Sequence, residues 1–448
     1  MEYLLSLLFL GLHLLDYEYN LPTIVFFGAG LVLFCALFRV CYNKSKDFLC
    51  TCMMMFCHTW QASWMNIFGD WGSPIQITWF YLIGVFILVY CMINIRKVIK
   101  VPLNAGVLAM FVSLFIFLPY PLIISPSLSE GMKEFLIIAF FLIIGFVAFV
   151  FKGTIAYEKR KYIVNSYLFC IMITCVLLLL QYVIYKFTGE ALFRYSVGTY
   201  YGNPVTSSKL LMEDTSCSTI MIGGAAFYLL EKLNKRNWPF ILAMAVIIMA
   251  GIGVTTRRTS IVTLAIVLVF YVLLHYKGTI KRINMAVLVA GLLSVMFLYL
   301  YYTRSILDLF TLTYNNGRFE GYAAGLKLLW DNPFGIGYDN VNLAAAVGGI
   351  VPHNSMLRWL NMGGFIFGIF MFLILIYYLT ASFKKKNKTE FWFIGYCLIA
   401  SNLIPDILNA RIFILPIMMA LLIADEEEKV PNEKYIAVQS RNEQQSRL

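Results

Sequence analysis

Three arginines and one histidine in the second half of the chain have the types and surroundings that chemistry on a charged substrate needs. Arg318 opens a stretch whose apolar residues recur at helical spacing, so its charge adds to the partial positive charge of a helix start. A guanidinium beside a helix N-terminus binds phosphate groups well. The alternative is that Arg318 pairs with Glu320 or with an anionic lipid.

The histidine of this set is His353, which directly precedes the helix-capping residues Asn354 and Ser355. The positive end of a helix dipole disfavours a second positive charge, so we expect a neutral imidazole near neutral pH. A neutral imidazole suits a general base. The alternative is an interfacial histidine that only forms hydrogen bonds. The other histidines of the chain lie in or beside apolar runs and are expected to be structural.

The remaining arginines, Arg257 and Arg258, lie in the short sequence TTRRTS (255–260) between two apolar runs. A cation at a membrane boundary usually has an anionic partner, and no Asp or Glu lies nearby in the sequence. A bound phosphate is the partner we expect. The alternatives are an error in the helix count and side chains that extend to lipid headgroups.

A third polar segment, 187–212, carries tyrosines among Gly, Asn and Ser, including Tyr195, Tyr200 and Tyr201. Flat aromatic faces with nearby hydrogen-bonding groups suit contact with carbohydrate. The alternative is a glycine-rich loop with ordinary interfacial tyrosines.

The elements that must position these residues are membrane helices. Hydrophobic residues make up 60% of the 448-residue chain and charged residues 13%, and the mean hydropathy is +0.77. This composition excludes a soluble globular domain. Apolar runs long enough to span a bilayer recur about fourteen times. They lie near 1–14, 22–41, 49–68, 76–95, 103–124, 132–151, 163–186, 213–230, 238–254, 259–276, 283–302, 355–379, 389–404 and 410–424. We predict one all-α, polytopic membrane domain (1–424) with about 12–14 transmembrane helices, the first of them retained rather than cleaved as a signal peptide.

Lys and Arg cluster at every second turn between these runs, which marks that side as cytoplasmic. If the N-terminus is cytoplasmic, counting the apolar runs along the chain places the segments 187–212 and 303–352 on the outer side of the membrane. The tail, 425–448, is then cytoplasmic and expected to be disordered. The net charge of +11 is therefore a topology signal, and no nucleic-acid partner is predicted. The ten cysteines fall in or beside apolar runs and are predicted to be packing residues, without disulfides or a metal site.

The segment 303–352 divides further. Apolar residues from Phe319 to Trp330 predict a short amphipathic helix, and Asp331-Asn332-Pro333 predicts its end. Gly335 and Gly337 after it predict a flexible backbone that can approach a ligand closely.

These residues as a set resemble the signature of the O-antigen ligase and polymerase superfamily. The matching features are Gly-Arg before a Trp, Asn-Pro-x-x-Gly-x-Gly, a His before a membrane helix, a later glycine pair and an Arg opening an upstream helix. In this chain they are Gly317, Arg318, Trp330, Asn332, Pro333, Gly335, Gly337, His353, Gly363, Gly364 and Arg258. GTYYGNPVTSSKLL resembles the family's Gly-x-x-x-Asn-Pro stretch, with Val205 where Asn is common. The resemblance covers roughly 190–380.

The resemblance implies an inverting, metal-independent glycosyltransferase with an architecture like that of the membrane C-type glycosyltransferases. Its donor and acceptor would be undecaprenyl-pyrophosphate-linked oligosaccharides on the outer face of the cytoplasmic membrane. A flippase and a chain-length regulator would be further partners, and no cofactor is implied. The catalytic candidates are His353, Arg318 and Arg258. The substrate-binding candidates are Arg257, Trp330, Asn203, Tyr201, Tyr338 and Asn354.

We favour a polymerase of capsule, exopolysaccharide or O-antigen repeat units. A ligase that transfers glycan to lipid A core or protein stays open, because the signature does not separate the two. The alternative of another class is a flippase for lipid-linked oligosaccharides, which should carry charges along a central cavity through many helices. Here the charges concentrate in the outer segments after residue 186.

Overall fold

The structure is a computed structural model. It describes residues 1–63, 65–68, 77–94, 105–193, 195–200, 203–211, 215–234, 236–255, 258–276, 278–303, 318–349, 351–384, 388–403 and 413–425.

Helices make up most of the described chain. Up to residue 188 they are α1 Glu2–Tyr19, α2 Thr23–Ser45, α3 Phe48–Thr59, α4 Trp79–Ile93, α5 Ala105–Phe117, α6 Tyr120–Ile123, α7 Leu128–Val150 and α8 Arg160–Thr188. After it they are α9 Thr215–Lys232, α10 Trp238–Val254, α11 Arg258–His275, α12 Thr279–Thr303, α13 Arg318–Asp331, α14 Asn340–Ala346, α15 Ser355–Lys384, α16 Lys388–Ser401 and α17 Ile414–Leu422. Short 3₁₀ turns cover Trp60–Ala62 and Tyr157–Lys159.

Each apolar run in the sequence contains a helix, and these helices identify a membrane-embedded protein. Among the described residues, five helical stretches are long and apolar enough to cross a membrane: Thr23–Ser45, Gly106–Ile123, Leu128–Val150, Tyr157–Thr188 and Ser355–Phe383. Shorter apolar helices are Trp79–Ile93, Trp238–Val254 and Ser260–His275. The total of 12–14 spans and the C-type architecture stay predictions.

In the first half of the chain, polar side chains join helices and cap them. The indole Nε1 of Trp79 in α4 donates to His13 Nε2 in α1 over 2.8 Å. Asp47 caps α3 by accepting from the Cys50 amide over 2.9 Å. The cysteines confirm the packing prediction, because all ten are free and all but Cys35 are buried.

At the basic end of the domain, one buried arginine joins three helices. Arg160, at the start of α8, donates from both terminal nitrogens to Glu231 of α9, over 2.6 and 2.8 Å. Its Nε donates to Glu390 of α16 over 2.8 Å. A buried arginine with paired carboxylates fixes the relative register of the helices that carry them.

The segment 187–212 departs from an entirely helical fold. β1 (Ser196–Tyr200) pairs antiparallel with β2 (Asn203–Ser207), with Ser196 opposite Ser207. Val and Thr in both strands favour this pairing, since β-branched side chains suit a pleated surface. The predicted outer loop is therefore partly a hairpin.

Candidate functional site

The predicted amphipathic helix is α13, which begins at Arg318 and ends at Asp331. Pro333 stops it, as expected for a residue that cannot continue the helical hydrogen bonds. The face that packs inward is built on Gly321, Gly325 and Leu329, all buried. Leu329 is the predicted apolar residue on this inward face, whereas three others face outward: the exposed fractions are 64% for Phe319, 60% for Leu326 and 82% for Trp330.

Glycine allows α13 to approach the first part of α15 very closely. A Cβ on Gly325 would lie 2.9 Å from side-chain atoms of Leu357 and Pro352, and 3.0 Å from the side-chain nitrogen Nδ2 of Asn361. Nearer the start of α13, the Tyr322 hydroxyl donates to the His353 carbonyl over 2.9 Å. The start of α13 is thereby held beside the start of α15.

α15 is broken at Gly364, whose φ of 71° and ψ of −174° are not helical. Beyond the break the chain turns back sharply: the Cα of Leu360 would lie 3.2 Å from a Cβ on Gly368. In a continuous helix, residues eight positions apart are separated by about 12 Å along the axis. The part of α15 before Gly364 is therefore a separate short helix that packs against α13.

The break in α15 is filled by residues 332–337, which we call the docked segment. Three backbone hydrogen bonds join the docked segment to α15 around the break. Ile336 N donates to Asn361 O over 2.9 Å, Gly337 N donates to Met362 O over 2.9 Å, and Phe365 N donates to Pro333 O over 3.1 Å. These bonds satisfy backbone groups that a broken helix would otherwise leave unpaired.

Close backbone contact explains the glycines of the docked segment. A Cβ on Gly335 would lie 2.5 Å from the Met362 carbonyl oxygen, and one on Gly364 would lie 2.5 Å from the Pro333 carbonyl oxygen. Gly335 and Gly337 also have φ values of 86° and 92°. The expectation of a flexible backbone open to a ligand is wrong here, because both glycines approach protein backbone instead.

The structure corrects the prediction that Tyr338 contacts substrate. The ring is fully buried, and its hydroxyl donates to the Leu118 carbonyl over 3.1 Å. Burial raises the pKa of the phenol, and the charge of Glu134 adds to the effect. Tyr338, the residue after the docked segment, therefore packs in the protein interior, and its ring is not accessible to a substrate in this structure.

A polar cluster that the sequence pattern does not predict joins α14 to α7 and to the first part of α15. The Arg358 side chain, 5% exposed, donates to Asn340 Oδ1 over 2.6 Å and to Glu134 Oε1 over 3.3 Å. The Asn340 amide also donates to Glu134. The arginine inside PHNSMLRW is the signal that could have indicated the cluster, because a charge at a core position needs a partner.

His353 is half-buried, and its position is set by the cap of α15. Asn354 Oδ1 accepts from the Leu357 amide over 2.9 Å, which is the N-cap interaction the sequence predicts. The His353 ring places Nδ1 3.2 Å from the Val351 carbonyl. The Asn354 amide reaches Asn402 Oδ1, just after α16, over 3.3 Å. The cap thus holds the start of α15 beside the residue that follows α16.

The start of α11 packs against α16 at Tyr396, in the second half of that helix. Arg258 begins α11, although its side chain, like that of Arg318, lies outside the described part, and Arg257 lies wholly outside it. Ser260, about 3 Å further along the helix axis, accepts through its carbonyl from Tyr396 of α16 over 3.2 Å. The starts of α11, α13 and α15 therefore lie at one end of the domain.

The hairpin also reaches this end. Ser207 donates from its hydroxyl to the Thr255 carbonyl over 2.8 Å, and the Ser208 amide donates to the Val254 carbonyl over 3.1 Å. Asn203 starts β2, with its side chain outside the described part, and Tyr201 lies wholly outside it.

The structure thus places the backbones of Arg258, Arg318, His353 and Asn354 toward the same end of the domain, with the hairpin beside the end of α10. It does not bring Trp330 to the same place, since this residue lies about 18 Å along α13 from its start. In the described ranges, no group of three or more His, Cys, Asp or Glu side chains is placed to hold a metal ion.

Comparison of the chain with family models, with curated proteins and with solved structures finds no match.

Proposed function

We propose that this chain is a membrane glycosyltransferase that polymerises undecaprenyl-pyrophosphate-linked oligosaccharide repeat units on the outer face of the cytoplasmic membrane. The repeat units would belong to a capsule, an exopolysaccharide or an O-antigen. The observation that carries the proposal is that three helix starts, those of α11, α13 and α15, lie at the same end of the domain, beside the second half of α16 and the residue that follows it.

Three helix starts at one end of the domain favour an anion there. The first amides of each helix have no partner within the helix, and each start carries about half a positive charge. Two of these helices begin with an arginine, Arg258 and Arg318. This combination suits a diphosphate, whose negative charge grows as the sugar leaves it.

His353 at the third helix start supplies the proton acceptor. In the proposed step a sugar hydroxyl of the acceptor forms a bond to the anomeric carbon of the donor. The bond from that carbon to the pyrophosphate oxygen breaks, and its electron pair leaves with the pyrophosphate. The hydroxyl proton passes to the imidazole. Attack opposite to the leaving group gives inversion, and the two arginines provide the positive charge without a metal.

The hydrogen bonds around His353 support a positioned base. Its carbonyl accepts from Tyr322 and its neighbour Asn354 caps α15, so the backbone on both sides is fixed. A base must stay within hydrogen-bond reach of the proton that it removes.

The test uses a strain that lacks the gene, complemented with variants, and measures polymer length on gels. We expect His353→Ala and Arg318→Ala to leave single repeat units without polymer. Lys327→Ala is the matched control, because it removes one positive charge from the exposed side of the same helix. Wild-type polymer in the His353→Ala strain would refute the general-base role.

Two other outcomes would point to other activities. Loss of all glycan from lipid A core or protein, with intact polymer on the lipid carrier, would indicate a ligase. Lipid-linked repeat units that stay inaccessible to a non-permeant lectin in the variant strain would indicate a flippase.

A further inference from the structure

A groove with a cavity volume of about 110 Å³ lies among α9, α10, α11 and α12. Its walls are entirely apolar, and they include Leu233 and Trp238 at one end and Met249 further in. The groove lies toward the Trp238 end of α10, whereas the candidate glycosyltransferase site adjoins Val254 at the other end of that helix. It is therefore a separate feature.

The length of the groove matches one leaflet of a bilayer. From Trp238 to Met249 the lining follows α10 for about 16 Å at the rise of an α-helix. Half of the hydrocarbon core of a bilayer is about 15 Å thick. Trp238 is 55% exposed at the end of the groove, where an indole suits the boundary between hydrocarbon and headgroups.

Basic side chains surround this same end. Arg236 is exposed two residues before Trp238. Arg282 donates from Nε to the Tyr276 carbonyl over 2.6 Å, and the Lys281 Nζ lies 5.2 Å from the centre of the Tyr276 ring.

Tyr276 connects these cations to the groove wall. Its hydroxyl donates to the carbonyl of Leu230, a lining residue, over 3.3 Å. Among the residues that the structure describes, no carboxylate forms a salt bridge with Arg236, Lys281 or Arg282.

We propose that the groove binds an acyl chain of an anionic glycerophospholipid from the leaflet on the basic side of the membrane. The apolar walls take the chain, and the cations at the groove end, with Arg236 and Lys281 foremost, attract the phosphate of the headgroup. An apolar helix of another protein would fill the walls but would leave these charges without a partner. The inference is independent of the proposed glycosyltransferase activity.

The charge of the site is tested by native mass spectrometry of the delipidated full-length protein in detergent. Dioleoylphosphatidylglycerol and dioleoylphosphatidylcholine are the probes. We expect tighter binding of the anionic probe, and a loss of about 30-fold in its affinity for the Arg236→Gln/Lys281→Gln variant, since each cation near a charged lipid surface adds roughly a factor of five.

The matched control is Lys152→Gln/Lys161→Gln, which removes two exposed lysines from another basic turn. This control should retain the affinity of the wild type for the anionic probe. Equal binding of both probes to the wild type would overturn the proposal, and so would equal losses in the two double variants.

The walls are tested by Ala245→Phe, which places a ring inside the groove because Ala245 lines it. We expect this variant to bind both probes more weakly, whereas Ala323→Phe on the exposed side of α13 should not. Unchanged binding by a folded Ala245→Phe protein would overturn the acyl-chain assignment. If that variant elutes as an aggregate, the charge variants, which change only exposed side chains, still decide the question.

Discussion

Gly364→Ala is the sharpest perturbation of the candidate site, because it acts on the contact between the docked segment (332–337) and the break in α15. Gly364 has a φ of 71° and a ψ of −174°, a region that is essentially restricted to glycine and costs another residue about 1–3 kcal/mol. The new Cβ would also lie 2.5 Å from the carbonyl oxygen of Pro333 and from the carbonyl carbon of Phe334. Both are backbone atoms, so no side-chain rotation can relieve the collision.

The docked segment must therefore separate from α15. Three backbone hydrogen bonds join them, and each contributes about 1 kcal/mol net. Their loss adds about 3 kcal/mol to the cost of the backbone conformation. The equilibrium constant for local opening of the docked segment should therefore be more than 100-fold larger in Gly364→Ala than in the wild type.

Hydrogen–deuterium exchange of the purified protein measures this opening directly. Peptides that cover the amides of Ile336 and Gly337 should exchange about 100-fold faster in Gly364→Ala than in the wild type. Gly348→Ala is the matched control, because Gly348 has a φ of 83° but no atom within 4 Å of the position that a Cβ would take. It carries only the conformational cost, partly offset by about 0.4–1 kcal/mol from the lower entropy of the unfolded chain.

Equal exchange at the two amides in both variants would refute this reasoning. It would mean that the docked segment is held by its side chains and not by the backbone contact with the broken helix.

Three further predictions concern the same region. Glu134→Gln removes the charge partner of the buried Arg358 and should lower the free energy of unfolding, measured by thermal denaturation, by about 3–5 kcal/mol. The control Lys133→Gln, in a solvent-screened pair, should change it by less than about 1 kcal/mol. Similar changes in both variants would contradict a role for the cluster. Gly325→Leu should push α13 away and abolish polymer in complemented cells, while Ala323→Leu on the exposed side should retain it, and normal polymer in both would argue against close packing. Asn354→Ala should cost about 1 kcal/mol as a lost helix cap and shorten the polymer, with Asn354→Asp restoring both; failure of that rescue would count against capping.

The helices and the membrane class follow from the sequence because they depend on local patterns. Apolar runs of sufficient length predict each membrane helix. The period of the apolar residues after Arg318, with Pro333 at its end, predicts α13 within a residue or two of its ends. Asn354 as a helix cap is also a local property, since its side chain bonds an amide three residues away.

Other features depend on contacts between residues far apart in the chain, which no local pattern contains. The sequence predicts a flexible backbone at Gly335 and marks Gly364 as one of a glycine pair. It does not show that the two glycines face each other, because this needs α15 to break and turn back. The burial of Tyr338 is also a tertiary property: the residue is polar enough for a binding surface, yet its hydroxyl bonds the residue that follows α5. The pairing of Arg358 with Glu134 likewise depends on a contact between distant parts of the chain.

The sequence alone therefore determines a helical membrane protein with unusual polar segments and a short list of residues that could bind a phosphate. Only the tertiary structure brings the starts of α11, α13 and α15 to one end of the domain, through hydrogen bonds of Tyr322, Asn354 and Tyr396. The physical reason is that local propensity fixes where a helix begins, whereas the packing of its side chains against distant helices fixes what that beginning faces.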